Sequence, residues 1–237
     1  MIVSLCAPLY GGKGKKSNTN SVCLWYDEGG RRAGKWSAKS GGPAARTVRK
    51  EETMIFERPG EENTAAALQC ALEAAKEKEI KYLVFSSNRG ESVKKLLEIG
   101  VPEGLKVTVV TSTFGFKAPN EWQFGEEMRT LALEAGFNVC TAAHALSGAE
   151  RSFSNKFSGA YPVEIVAHTL RMFGAGTKVA VECALMAADA GYIPVGEPVI
   201  AMGGTGRGLD TAWILKAANT HTLLATRLEE CLCKPLV

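Results

Sequence analysis

Tyr82-Leu-Val-Phe-Ser-Ser-Asn-Arg-Gly-Glu-Ser-Val-Lys-Lys-Leu-Leu-Glu98 is the stretch that decides how this chain folds. Tyr82–Phe85 is a short apolar run of the kind that fills a buried strand, and Ser92–Glu98 has helical periodicity. Between them Ser86, Ser87, Asn88, Arg89 and Gly90 turn the chain, and Glu91 opens the helix. A loop from strand tip to helix start presents backbone N–H groups without intrahelical acceptors, and the helix dipole adds positive potential there. Ser86, Ser87, Asn88 and Ser92 add side-chain hydrogen bonds, and Gly90 lets a bound group approach the backbone. That is anion-site chemistry. Ser and Asn are also common helix caps, so one such loop turns the chain as readily as it holds a phosphate.

The same design recurs at Met202-Gly-Gly-Thr-Gly-Arg-Gly-Leu-Asp210, which follows the apolar run Val199–Met202. Gly203, Gly204 and Gly206 permit a tight turn beside a ligand, and Thr205 and Arg207 offer polar contacts. Asp210 can bond a ligand hydroxyl or the turn backbone. Two such loops at strand ends in one α/β chain favour a ligand over mere turns. The glycines lack the G-x-G-x-x-G spacing, which argues against a dinucleotide, and Gly11-Gly-Lys-Gly-Lys-Lys-Ser17 fails as a P-loop because Leu9 stands where its first glycine belongs.

Outward from these loops the pattern is regular. Thr53–Phe56 reads as a strand, and Pro59-Gly60 precedes a helix running to about Lys78. Leu105–Thr111 and Phe137–Cys140 read as strands, with a helix from Glu126 to Ala135 between them. Pro162 to Phe173 and Thr177 to Ala190 are helical, opened by a proline and closed by Gly191 respectively. Thr211–Leu215 is a further strand. Such alternation predicts an α/β fold: a three-layer sandwich of a mainly parallel sheet with helices on both faces.

The first 52 residues differ. Residues 1–53 hold ten Lys/Arg against four Asp/Glu, and the remainder eighteen against twenty-one. We expect residues 1–52 to be a basic Gly/Ser-rich extension, partly disordered, with one hairpin from Ser21–Tyr26 through Asp27–Gly30 to Ala33–Ser37. Residues 53–237 form the α/β domain. The basic stretch has few aromatics and no basic helix face, so a polyanion-binding arm ranks third among the functions considered. No apolar run reaches the roughly 20 residues that span a bilayer. The N-terminus lacks a signal-peptide pattern, which makes the cytoplasm the expected location. Seven scattered cysteines contain no Cys-x-x-Cys, and Cys70, Cys140 and Cys183 read as reduced core residues.

From about residue 53 onward the chain resembles the stand-alone proteins built on the pyruvate-kinase C-terminal-domain-like fold. The resemblance is carried by Phe56-Glu-Arg-Pro-Gly-Glu-Glu-Asn-Thr64, His144-Ala-Leu-Ser-Gly148 with Arg151, Ser154-Asn-Lys-Phe157, Pro162-Val-Glu-Ile165, Met186-Ala-Ala-Asp-Ala-Gly191 and Gly203–Ala212. It implies a regulatory-type domain without the kinase's catalytic barrel. In the kinase, the loop equivalent to Ser86–Ser92 holds a phosphate of a sugar-phosphate effector. Some stand-alone members are associated with flavin mononucleotide (FMN).

Against the residues, that resemblance yields an expected FMN site. Ser86–Ser92 would take the phosphate, and Phe114, Phe116, Trp122 or Phe153 could wall the ring, though core or lid packing accounts for each singly. His144–Phe157 is the densest polar cluster, with His144, Ser147, Gly148, Arg151, Asn155 and Lys156 in a stretch expected to have little regular structure. His144 can donate to a ring carbonyl or act as a base; a backbone-satisfied histidine explains it equally. Arg151 or Lys156 can neutralise phosphate or reduced flavin, or form surface ion pairs. Glu164 and Glu182 read as solvated or capping. No metal site is expected. The leading function is binding of a phosphorylated small molecule, FMN first, with a flavin-dependent oxidoreductase in view. The alternative is a non-catalytic module sensing a sugar phosphate or nucleotide. Self-association is compatible with the apolar helices at 162–190.

Overall fold

A computed structural model of the chain describes Val22–Tyr26, Arg32–Ser37 and residues 52–236. Its contacts divide into two units, residues 1–50 and 51–237. In the first, β1 (Val22–Tyr26) and β2 (Arg32–Ser37) pair antiparallel, with Val22 opposite Ser37. The expected turn at 27–30, the P-loop look-alike at 11–17 and the rest of the basic arm lie outside the described residues.

The second unit is built on β3 (Met54–Phe56), β4 (Tyr82–Ser86), β5 (Lys106–Thr111), β6 (Asn138–Thr141), β7 (Pro198–Gly203), β8 (Thr211–Lys216) and β9 (Arg227–Pro235). They form one seven-stranded sheet in the order β3-β9-β8-β7-β4-β5-β6. β7, β4, β5 and β6 run parallel, as do β3 and β9, and β8 is antiparallel to both of its neighbours. The sheet is mainly parallel, as the alternation of elements predicts.

Period-two alternation sends Leu83 and Phe85 of β4 to one face and Val84 to the other, all three fully buried. The first face is covered by α1 (Thr64–Glu77), α2 (Glu91–Ile99) and α3 (Gly125–Glu134), which contribute Leu68, Leu96 and Ala132 to its core. On the second lie α5 (Pro162–Arg171) and α6 (Ala175–Asp189), with Ala167, Ala184 and Leu185 packed on Val84 and Val110. The layers are therefore helix, sheet, helix. Small residues let α6 come close. A Cβ on Gly203 would overlap the carbonyl of Gly176, and one on Gly176 would overlap Thr211 Oγ1.

Two elements depart from expectation. Residues 150–157, expected to be irregular, form α4 (Glu150–Phe157), which buries none of its residues. Its only apolar pair, Phe153 and Phe157, lies on the surface with 50% and 64% exposure, so no core-facing stripe marks it as a helix. β9 was not anticipated either. Its glutamates are ion-paired, Glu229 with Lys216 of β8 at 2.8 Å and Glu230 with Lys78 at the end of α1 at 3.5 Å. Register shifts against β8 also break its alternation.

Candidate functional site

The carboxyl ends of β4 and β7 are neighbours, because Phe85 pairs with Met202. The chain leaves β4 into α2 on one face of the sheet, whereas α6, which feeds β7, packs on the other. Connections that part in this way open a crevice at the strand tips. A cavity of about 670 Å3 lies there.

The β4–α2 loop is shaped by its own side chains. Ser87 N–H donates to Val110 O at 2.9 Å, and Gly90 N–H donates to Ser87 Oγ at 3.2 Å. Gly90 sits at φ +91° with Met128 packed where a Cβ would project, so this corner favours glycine on both counts. The bend leaves the first amides of α2 without intrahelical acceptors. Ser86, Ser87, Asn88, Glu91 and Ser92 all line the cavity, and Arg89 and Lys95 join them.

Gly204, Gly206 and Arg207 of the β7–β8 loop line the same space. The loop is folded about Asp210, which is fully buried. Asp210 Oδ2 accepts from Thr205 N–H at 3.0 Å and Gly60 N–H at 3.3 Å, and Oδ1 accepts from Thr211 Oγ1 at 2.7 Å. Of the two roles expected for Asp210, the structure uses the carboxylate on turn backbone, away from the cavity lining. Thr205, with its amide on Asp210, and Gly203, packed on α6, likewise lie outside that lining. Thr64 completes the floor: its Oγ1 donates to Glu61 O at 2.7 Å and accepts from Leu209 N–H at 3.0 Å.

The β5–α3 connection supplies one wall. Trp122 Nε1 donates to Thr111 Oγ1 at 3.2 Å, and Phe114 stacks on Trp122 with ring centroids 5.2 Å apart. Phe114 is thereby turned from the cavity, and Phe116 is the aromatic that lines it, with Lys117 and Gln123. Phe116 lies 5.3 Å from the His144 ring, and the Arg151 guanidinium sits 5.9 Å from its centroid. Phe153 packs near Phe157 and Tyr161 instead.

The polar cluster at 144–156 separates into parts with different work. His144 alone of it lines the main cavity. His144 O accepts from Ser147 N–H at 3.2 Å and Gly148 N–H at 2.7 Å, so those two residues close a turn and line a second cavity of about 460 Å3. Arg151, Asn155 and Lys156 are exposed on α4, outside the cavity lining, because that stretch is helical and presents them to solvent. Glu164, expected to be solvated or capping, accepts from Ser154 Oγ at 2.7 Å and ties α4 to α5.

Sequence reasoning missed the α6 face. Glu182 is 6% exposed rather than solvated and pairs with Lys178, which is 5% exposed; both line the cavity. Glu182 Oε1 also accepts from Leu146 N–H at 2.8 Å, which hangs the loop after β6 on α6. The clue was present: two opposite charges four residues apart inside an otherwise apolar helix. Burial lowers the His144 pKa; Glu182 opposes this, and Lys178 and Arg151 reinforce it, so the ring is neutral near pH 7. Burial pushes the Cys183 thiol up, which keeps it protonated beside the cavity.

The lining thus holds Arg89, Lys95, Lys117, Lys178 and Arg207 against Glu61, Glu91 and Glu182. That cation excess suits an anionic ligand. Among the described residues no group of His, Cys, Asp and Glu is arranged to hold a metal, and no helix is long and apolar enough to cross a membrane. A family model described as pyruvate kinase, alpha/beta domain, matches residues 65–215.

Proposed function

Since the chain belongs to the pyruvate kinase alpha/beta domain family, we propose that it binds flavin mononucleotide in the strand-tip cleft. One observation carries this reading. The β4–α2 loop and the β7–β8 loop, read from sequence as two separate anion-type turns, open onto a single cavity of about 670 Å3. That size falls within the range of about 300–1,000 Å3 typical of small-molecule sites.

The residues suit each part of the ligand. The α2 amides with Ser86, Ser92 and Arg207 hold the phosphate. Phe116, Val179 and Met186 provide the apolar wall that a flat ring requires, and neutral His144 offers a hydrogen bond at the ring edge. Bound flavin supplies reversible electron transfer at its ring. The chain's part is to bind, orient and shield it, with Phe116 and its loop excluding water. The second cavity shares His144 and Met186 with the first, which gives an oxidoreductase a place for its other substrate. On this reading the protein works in the cytoplasm.

A second reading is supported by the spread of cations over several elements of the lining, Arg89 and Lys95 from the β4–α2 segment and Arg207 from the β7–β8 loop. This pattern also suits a sugar phosphate sensed by a non-catalytic module. The absorbance spectrum of freshly purified protein separates the two, with mass identification of whatever heat releases. A flavin spectrum supports the first reading. A colourless protein without affinity for added FMN, stabilised on melting by a sugar phosphate, supports the second.

A further inference from the structure

Lys178 is the only lysine or arginine among the described residues buried beyond nine-tenths, and a single carboxylate partners its three donors. Its ammonium carries three N–H donors. Among the described residues its hydrogen-bond partner is Glu182 alone. Glu182 is itself fixed through its other oxygen by Leu146 N–H at 2.8 Å. Two donors of a buried cation are therefore left at the wall of the main cavity, which both residues line. Buried donors without acceptors are costly. A desolvated ion pair returns little stability for its own desolvation, and the loop tether made by Glu182 does not use the donors of Lys178.

Placement bears on what Lys178 can bind. α6 covers one face of the sheet and α2 the other, so Lys178 and the α2 amides reach the cleft from opposite sides of the strand tips. A ligand touching both has its phosphate at one end and an electron-rich oxygen at the other.

Building on the flavin reading above, we propose that Lys178, positioned by Glu182, hydrogen-bonds the carbonyl edge of the ligand's ring and favours the reduced, negatively charged ring over the oxidised one. A cation beside the pyrimidine edge of a flavin acts on the electrons that the ring gains on reduction. Lys178 is the group that reads the ring, and the α2 loop is the group that reads the phosphate.

The test compares wild type, Lys178→Met with Glu182→Gln, and Lys178→Arg, using oxidised FMN, dithionite-reduced FMN, riboflavin and inorganic phosphate as probes. The double variant removes both charges together, so no orphaned carboxylate is left to unfold the site. Lys178→Arg keeps the charge and serves if the double variant melts. We expect the double variant to bind oxidised FMN and riboflavin about tenfold more weakly and reduced FMN about a hundredfold more weakly, the scale of a lost charged hydrogen bond. Stabilisation by inorganic phosphate should be unchanged, and Lys178→Arg should retain the preference for reduced FMN. If wild type binds FMN and the charge-free variant binds each redox form as tightly as wild type does, the role of Lys178 is overturned and the flavin reading stands. A parallel loss of phosphate binding also overturns it, by marking the pair as structural. Wild type that binds no FMN overturns both.

Discussion

The carboxylate of Asp210 accepts a hydrogen bond from the backbone amide of Gly60, 3.3 Å away and 150 residues earlier in the chain. That bond joins the β7–β8 loop to the connection entering α1, while Thr205 N–H donates to the same oxygen and Thr211 Oγ1 to the other. The glycine loop therefore owes its shape to a buried carboxylate that faces away from the ligand space. Asp210→Ala removes three hydrogen bonds worth about 1 kcal/mol each. We expect a loss of about 3 kcal/mol in urea unfolding. A midpoint unchanged from wild type would show that the loop holds its form without this clasp.

Gly176 meets the same corner from α6. A methyl there overlaps Thr211 Oγ1 and crowds Asp210 Oδ1 at 2.8 Å. Gly176→Ala should destabilise by about 1–3 kcal/mol, the usual cost of overpacking, even though alanine is the better helix former. Thermal melts decide the sign: a rise in melting temperature would mean that helix propensity outweighs the clash.

His144 makes stability depend on pH. Its folded pKa lies below the unfolded value of about 6.5. The unfolded chain therefore takes up a proton first as pH falls. Stability contributed by this site is constant above about 6.5, declines as pH drops from there to the folded pKa, and levels off below it. His144→Gln should flatten this part of the curve, measured by urea melts between about pH 7.5 and 5. Identical curves for the two proteins would remove His144 as the source.

Arg207 is exposed and lines the cavity together with the residues at the start of α2. Arg207→Ala should weaken FMN by about tenfold and leave riboflavin unaffected, because only the phosphate interacts with this cation. Equal losses for the two flavins would place Arg207 against the ring instead.

Much of the fold was legible because local signals agreed with the global arrangement. Leu83–Phe85 is buried between helical layers and reads as an apolar run, and Pro162 and Gly191 mark the helix limits where expected. The two loops were legible for the same reason, since strand tips need turn residues. What escaped lacked a local trace. α4 buries nothing, so no apolar stripe records it, and β9 hides behind paired glutamates and register shifts. Phe116 and Phe114 are indistinguishable in sequence; only the Trp122 stack settles which one faces the cavity. Lys178 and Glu182 did leave a trace, an opposite pair four residues apart in an otherwise apolar helix, but its meaning depends on the burial of α6 over most of its length.

The margins of the sheet carry one more consequence. β6 is four residues long and β3 three, each hydrogen-bonded to the sheet on one side only. Rims this brief give an incoming chain almost no ladder to extend. Copies meeting edge to edge at this sheet should slip apart rather than grow into fibres.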